Sequence, residues 1–196
     1  MNNYPEYVEI EGKKYKINTD FRVAIECNRI AQDETIGDYE RVLGILCTLY
    51  GSDAIDNPSH YEMLLKLALK YLSCGKDIDN APNEEPDMDY IEDMDYIEAS
   101  FMSDFHIDLS NEEMHWWKFN KLMNGLSNSD FGNCCVLNRV RNLRNIDLKE
   151  IKDAKERNKI RKAQQQVALK KNKKIATDKQ IESAKRFYEA LGYRKE

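Results

Sequence analysis

The sequence predicts a mainly α protein: a helical domain with a short N-terminal β-hairpin and a long basic C-terminal helix. Apolar residues recur at three- and four-residue intervals along most of the chain, and residues that cap helices precede these stretches. Strict alternation of apolar and polar residues occurs only near the N-terminus. With 196 residues, 41% of them apolar and 33% charged, the chain can form a core beneath a strongly solvated helix surface.

Composition changes along the chain and indicates four stretches. We expect a hairpin and helices in residues 1–73, an acidic linker in 74–92, an aromatic helical core in 93–145 and basic C-terminal helices in 146–196. The linker is predicted because it concentrates residues that interrupt helices and strands, namely Gly75, Asn80, Pro82 and Pro86.

Local signals predict the first elements. Residues 7–10 and 14–17 alternate apolar with polar positions on either side of a glycine turn, which is the pattern of a hairpin. Asp20 is a favoured helix cap and predicts a helix over residues 21–31. Helical spacing predicts two more helices, over 38–50 and over 58–72.

The centre of the chain is aromatic. Residues 87–92 read Asp-Met-Asp-Tyr-Ile-Glu and are repeated without change as residues 93–98. Beyond them, apolar residues recur at four-residue intervals and predict one helix stripe, formed by Ile97, Phe101 and Phe105. Ser110 and Glu113 match a capping box, so a helix is expected from Asn111 to about residue 124.

That helix contains both tryptophans of the chain, which are large and rigid apolar side chains. Trp116 and Phe119 share a stripe, whereas Trp117 points about 100° away from it. We therefore expect one tryptophan in the core and the other on a partner surface. The whole predicted partner-binding set consists of Tyr96, Ile97, Phe101, Phe105, Trp116, Trp117 and Phe119.

The last part of the chain is basic. A helix is predicted over residues 130–143, a long basic helix over 148–173 begins at the capping box of Asp147 and Glu150, and Thr177 caps a final helix. The long helix has only a thin apolar stripe, which is typical of a helix that packs on one side only or projects from the domain. Its densest basic patch is formed by Arg157, Lys159, Arg161 and Lys162.

Charge is distributed unevenly. Residues 1–98 hold 9 Lys and Arg against 22 Asp and Glu, whereas residues 99–196 hold 21 against 13. The asymmetry favours pairing of the acidic segment 77–98 with the basic helix 149–174, either within one molecule or between copies. It also permits a nucleic-acid-binding arm. Net charge of −5 and the absence of aromatic residues interleaved with the bases disfavour that alternative.

Catalytic motifs are missing from the sequence. It has no glycine-rich phosphate loop, and no histidine stands in a context that marks it as a base. The acidic repeat departs from a calcium loop because Glu92 takes the place of the required glycine. The five cysteines lack the paired spacing of zinc ligands and are expected to be reduced, mostly in the core. We expect no enzyme activity, no metal and no cofactor.

Four segments together resemble a known family: Asp93-x-Asp95-x-Ile97-x-x-x-Phe101, His106-Ile107-Asp108-Leu109, His115-Trp116-Trp117-Lys118-Phe119 and Leu122-x-x-Gly125-Leu126. The chain is similar here to the bacteriophage gene product fifteen family of long-tailed siphophages, over residues 93–171 and also over 7–33. His106 stands where the resemblance implies a glycine-containing turn.

The resemblance implies a tail-assembly chaperone that is absent from the finished virion. Its client would be the tape-measure protein, with the tail tube protein as a second partner and self-association as a further expectation. Host cytoplasm is the expected location, since the start of the chain lacks a signal-peptide pattern and no apolar run is long enough to span a bilayer. The alternative is a nucleic-acid-binding or other non-catalytic phage accessory protein that acts through the basic C-terminal helix.

Overall fold

The computed structural model describes residues 4–76, 86–128 and 134–170. These ranges contain one antiparallel hairpin, two short 3-10 turns and seven α-helices. The strands are β1 (Tyr7–Ile10) and β2 (Lys13–Lys16); the helices are α1 (Phe21–Gln32), α2 (Asp38–Tyr50), α3 (Tyr61–Leu72), α4 (Met94–Phe105), α5 (Trp116–Asn124), α6 (Val136–Asn145) and α7 (Ala154–Val167). The predicted helical class with an N-terminal hairpin is confirmed.

The chain divides into two compact units. Among the described residues, unit 1 holds 4–76 and 113–120, and unit 2 holds 86–112, 121–128 and 134–170. Unit 1 is therefore built from two separate parts of the sequence. Each unit is described by itself below.

The hairpin of unit 1 pairs Tyr7 with Lys16 and Ile10 with Lys13. Glu11 and Gly12 form its two-residue turn with φ values of +50° and +80°, the left-handed backbone that matches the twist of a tight hairpin. Alternation places the side chains of Ile10 and Tyr15 in the core, while the lysines of β2 remain exposed.

Helices α1 and α2 pack closely in unit 1. The carboxylate of Asp20 accepts a hydrogen bond of 2.9 Å from the backbone N–H of Arg22, so the predicted cap is present. Gly44 of α2 permits the close approach, because a Cβ atom there would lie 3.1 Å from Cγ2 of Ile30. Helix α3 follows a 3-10 turn, Pro58–His60, and so begins three residues after the predicted start at residue 58.

Residues 113–120 complete the core of unit 1. The backbone N–H of Phe21 donates to the carbonyl of Met114 (2.9 Å), and the N–H of Trp116 donates to the carbonyl of Thr19 (2.8 Å). These bonds form a short antiparallel bridge beside α1. The rings of Phe21 and Phe119 stack at 4.6 Å with an interplanar angle of 7°.

The core of unit 2 lies between α4 and α6. Ile97 and Phe101 of α4 are fully buried, as is Leu137 of α6. Ser100 joins the two helices, because its Oγ accepts from the backbone N–H of Leu137 (3.0 Å) and donates to the carbonyl of Tyr96 (2.6 Å). The buried hydroxyl is thus fully hydrogen-bonded.

The two helix starts that were predicted from capping boxes are wrong. The tryptophan helix begins at Trp116 rather than Asn111, because the Asp108 carboxylate accepts from Ser110 and Asn111 and closes a separate turn there. The basic helix begins at Ala154 rather than residue 148. Asp153 is its cap, while Asp147 closes a turn with Lys149.

Three helix predictions reach beyond the described ranges. The helix predicted over 130–143 is α6, which begins only at Val136 after the Cys135 cap; residues 134 and 135 are not helical, and 130–133 lie outside the described residues. Helix α7 ends at Val167 and residues 168–170 are not helical, so the long basic helix predicted over 148–173 is not confirmed. The final helix capped by Thr177 lies outside the described residues.

Candidate functional site

Both tryptophans of unit 1 hydrogen-bond to the last turn of α3. The indole Nε1–H of Trp116 donates to the carbonyl of Leu72 (2.9 Å), and that of Trp117 donates to the carbonyl of Tyr71 (2.9 Å). Carbonyls at a helix C-terminus have no partner within the helix, so the two indoles supply one. The adjacent tryptophans thus fix the end of α3 with their polar atoms and fill space with their rings.

His115 holds the tryptophans in place. Its Nδ1 accepts a hydrogen bond of 3.0 Å from the backbone N–H of Trp117, in the first turn of α5. Because Nδ1 is an acceptor, the ring hydrogen is on Nε2, which donates to the carbonyl of Pro5 (3.1 Å). His115 therefore caps α5 and also ties the N-terminal segment to it.

Four aromatic rings form what we name the Trp117 cluster: Tyr4, Tyr71, His115 and Trp117. Tyr4 stacks on His115 at 4.8 Å, and Tyr71 stacks on Trp117 at 6.1 Å. Tyr71 is buried, and this burial raises the pKa of its hydroxyl. The other three rings are half-buried. Since the indole N–H of Trp117 already has a partner, the accessible part of this ring offers an apolar contact.

The two copies of the hexapeptide have different structures in unit 2. Residues 87–92 form turns, in which the carboxylate of Asp89 accepts from the backbone N–H groups of Ile91 and Glu92. Residues 93–98 enter α4 instead. The equivalent isoleucines differ accordingly: Ile91 is 48% exposed and Ile97 is 0% exposed. The second copy is the one that builds the core.

Arginines of α6 bind the first aspartate of each copy. Arg141 lies 3.0 Å from the carboxylate of Asp87, with both side chains partly exposed. Arg144 pairs with Asp93 at 2.7 Å, and this pair is largely buried, with side-chain exposures of 11% and 1%. The hydrogen bonds to Asp93 raise the pKa of Arg144 further, although burial opposes this. The carboxylates of Asp87 and Asp93 thus pair with α6, whereas the sequence predicted pairing of residues 77–98 with the basic helix over 149–174. The contact described between those two predicted segments is the backbone N–H of Lys170, which donates to the carboxylate of Glu92 (3.1 Å).

The predicted partner-binding residues are divided between the two units. Ile97 and Phe101 belong to the core of unit 2, and Trp116 and Phe119 belong to the core of unit 1. Packing of the apolar stripes explains their burial. The half-buried members are Tyr96, Phe105 and Trp117. Trp117 alone among them also belongs to a cluster with other half-buried rings.

The basic patch on α7 is divided. Arg157 donates two hydrogen bonds to the carbonyl of Ile151, at 2.9 and 2.7 Å, and one to that of Lys152. Its guanidinium therefore stabilises the turn before α7. Lys159, Arg161 and Lys162 are exposed. These three side chains are the part of the patch that can meet an anionic partner.

The cysteines of the described residues show no sign of a catalytic or metal-binding role. All five cysteines are free thiols; Cys27 and Cys135 are buried, and Cys47 is exposed. Burial raises the pKa of Cys27 to about 12 and raises that of Cys74, so both thiols are protonated and poorly nucleophilic at neutral pH. Within the described ranges, no three His, Cys, Asp or Glu side chains lie close enough to hold a metal ion.

Sequence reasoning missed the partners of Arg144 and His115. Their signals are not local, since Asp93 and Arg144 lie 51 residues apart and Pro5 and His115 lie 110 apart. The residue types alone indicate that such partners exist, because an arginine or an aspartate in an otherwise apolar stripe needs a partner when it is buried.

Among the described residues, no helix combines the length and the apolar character that crossing a bilayer requires. Comparison with curated proteins and with solved structures gave no match. Comparison with protein families gave a match over residues 1–169 to the family described as Bacteriophage Gp15 protein. The matched range includes the hairpin, the Trp117 cluster and the Asp93–Arg144 pair. The chain therefore belongs to the Bacteriophage Gp15 protein family.

Proposed function

We propose that this protein is a non-catalytic tail-assembly chaperone, which binds the tape-measure protein in the host cytoplasm and keeps it soluble while the tail is built. Membership of the family supports a bacteriophage structural or assembly-related role. The tail tube protein is the proposed second partner. The observation that carries the finer proposal is the Trp117 cluster, in which three half-buried rings lie beside the buried Tyr71 at the end of α3.

The Trp117 cluster suits a partner that offers apolar side chains. Tryptophan and tyrosine dominate the energy of many interfaces because they contribute a large area at little cost in conformational entropy. Hydrogen bonds from Trp117 and His115 hold the cluster before any partner arrives. A preorganised aromatic surface is well suited to the apolar stripe of a long helical client. The high charge of the remaining surface would keep the complex in solution.

Co-expression with the tape-measure protein of the same phage tests this proposal. The wild-type protein should keep the client in the soluble fraction and co-purify with it. Trp117→Ala should lower the yield of soluble client, whereas Tyr39→Ala, which removes an aromatic ring that is 48% exposed on α2, should leave it unchanged. A client that stays insoluble beside the folded wild-type protein would rule out the proposal.

Trp117→Phe separates the ring from its hydrogen bond. If apolar contact is what the client uses, this variant should retain more client than Trp117→Ala, because it keeps a ring beside Tyr71. Thermal unfolding of each variant, followed by circular dichroism, shows whether the loss of client reflects binding or folding. Full retention of client by both variants would place the client elsewhere on the protein.

The second candidate is nucleic-acid binding through α7. The observation that favours it is the exposure of Lys159, Arg161 and Lys162 on a helix without any buried residue. A helix with this surface can contact phosphates. Lys159→Glu combined with Lys162→Glu reverses the patch and spares the structural Arg157. If the wild-type protein retards DNA or RNA in a gel at physiological salt and this variant does not, nucleic-acid binding becomes the favoured function.

A further inference from the structure

Helix α7 contacts the rest of unit 2 through a single stripe. Five of its residues are half-buried, none is fully buried, and every other residue of the helix is exposed. The half-buried residues recur at helical spacing: Arg157, Ile160, Ala163, Gln164 and Val167. Helix α7 therefore packs on one side only where the structure describes it.

The contact between α6 and α7 is largely polar. Nε2 of Gln164 lies within hydrogen-bond distance of three carbonyls at the end of α6: those of Leu143 (3.0 Å), Arg144 (3.3 Å) and Ile146 (2.9 Å). In return, Nε of Arg144 donates to the carbonyl of Val167 at the end of α7 (2.6 Å). Each helix thus provides partners for the terminal carbonyls of the other.

The surface beneath α7 remains partly apolar and partly open. Leu143 is half-buried, and Ile146 is 39% exposed although α7 lies beside it. The three carbonyls add hydrogen-bond acceptors to this surface. It therefore fits a helix that carries an apolar stripe with one amide donor in it, which is the pattern that α7 presents.

Helix α7 has little stability of its own. It has 14 residues, a length at which an isolated helix is marginal in water. Its exposed face is strongly basic, and Glu156 is the only acidic residue among Ala154–Val167. Like charges at this spacing destabilise a helix, so its order depends on the contact with α6.

We propose that the end of α6 is a helix-binding site, which α7 occupies within the same chain and from which an incoming amphipathic helix displaces it. The identity of that helix rests on the proposed function: it is a segment of the tape-measure protein. The existence of the site does not depend on that identity. Binding at this site would release the basic α7 from unit 2.

The substitution Gln164→Glu tests the site in the full-length protein. The two side chains are nearly equal in size, but the glutamate would place a carboxylate against three carbonyl oxygens at the negative end of α6. Gln165→Glu is the matched control, since it adds the same charge to an exposed position of the same helix. Hydrogen exchange should show loss of protection in α7 of Gln164→Glu, with α4 still protected.

The probe is a fluorescent synthetic peptide of residues 152–170. It should bind Gln164→Glu at least about tenfold more tightly than the wild-type protein or Gln165→Glu, because apparent affinity scales with the fraction of molecules whose site is open. Equal binding to all three proteins would overturn the proposal. If Gln164→Glu also exposes α4, Ile160→Asn is used in its place and the same comparison decides.

Competition identifies the incoming helix. A soluble fragment of the tape-measure protein that displaces the peptide from Gln164→Glu supports both the site and its client. A fragment that binds the protein without displacing the peptide overturns the claim that the client uses this site. If no fragment binds any variant while the peptide still binds, the site stands and the proposed chaperone function fails.

Discussion

Arg144 donates two hydrogen bonds of 2.7 Å to the carboxylate of Asp93, one from each terminal nitrogen. The guanidinium also donates to the carbonyl of Asp87 (2.9 Å), and the carboxylate also accepts from the backbone N–H of Asp89 (3.0 Å). With the bond to Val167, one arginine joins three segments of unit 2 that are distant in sequence. Removal of either charge would leave the other buried without its partner.

Asp93→Asn should therefore destabilise the protein strongly. Breaking a buried, hydrogen-bonded ion pair by removing one charge costs about 3–5 kcal/mol. Asp87→Asn is the matched control within the other copy of the hexapeptide. Its pair with Arg141 is partly exposed, and such pairs contribute about 0–1 kcal/mol. Urea unfolding followed by far-UV circular dichroism measures both. Equal losses in the two variants would contradict the special role of the buried pair.

A second matched pair uses the isoleucines of the repeat. Ile97→Ala removes a fully buried side chain and should cost about 2–5 kcal/mol, whereas Ile91→Ala should change stability by less than about 0.5 kcal/mol. The local sequence is identical, so propensity cancels in the comparison. Urea denaturation curves of the two variants give the difference directly, and similar midpoints would mean that the copies are interchangeable.

The repeat also shows why local sequence was insufficient. Nothing within the hexapeptide distinguishes one copy from the other, and the residues that follow decide. Ser100 and Phe101 follow the second copy and join the core. A shift of six residues would place Asp95 where Phe101 lies, and burial of that unpaired charge would be very costly. The choice of copy is therefore fixed by tertiary packing.

The reliable predictions were those with a strong local signal. The hairpin turn and the Asp20 cap each depend on a few adjacent residues, and the structure confirms them. The two helix starts that were misplaced by capping boxes have one cause. Asp108 and Asp147 each close a turn with residues just after them, and a capping box cannot be distinguished from such a turn by spacing alone.

The candidate site was less predictable than the fold. The two tryptophans were expected to divide between the core and a partner surface. No local signal indicated that their indole N–H groups donate to carbonyls 44 and 46 residues away. The contact of Gln164 with α6 is also non-local. Contacts of this kind follow from the packing of complete helices, which no single stretch of sequence encodes.

His106 gives a prediction of increased stability. It ends α4 with φ +56° and ψ +34°, a left-handed conformation at the position where the resemblance implied a glycine-containing turn. A side chain with a Cβ atom is strained there, whereas glycine is not. His106→Gly should raise stability by about 0.5–1 kcal/mol. His106→Ala, which keeps the Cβ atom, should bring no such gain. Thermal melts of the two variants would refute the idea if the alanine variant were the more stable.

Asp104 gives a prediction about acid stability. Partial burial alone would raise its pKa, but hydrogen bonds from the backbone N–H of Ser127 (2.7 Å) and the hydroxyl of Ser103 hold the pKa below the ordinary value of 3.8. A carboxyl whose pKa is lowered by folding stabilises the folded state above its unfolded pKa. That contribution is lost as the pH falls through the lowered folded value.

Asp104→Asn should accordingly be less stable than the wild-type protein at neutral pH, by about 1 kcal/mol for one charged hydrogen bond. The difference in unfolding free energy between the two proteins should shrink as the pH falls from about 4 through the lowered folded pKa of Asp104, because the wild-type carboxyl then loses its charge. Urea unfolding at several pH values measures it. A difference that stays constant down to the acid range would show that Asp104 acts through its shape rather than its charge.

The central claim is that the protein acts by holding an apolar helical client, and one titration tests it most directly. The purified wild-type protein is titrated with a labelled tape-measure fragment and, separately, with labelled DNA and RNA, each at low and at high salt. Apolar contacts are not screened by salt, so the fragment should bind with nearly the same affinity in both conditions, and Trp117→Ala should weaken it. Nucleic acid should not bind at physiological salt. The opposite pattern would contradict the account: no binding of the fragment, together with nucleic-acid binding that falls steeply with salt and disappears in Lys159→Glu with Lys162→Glu.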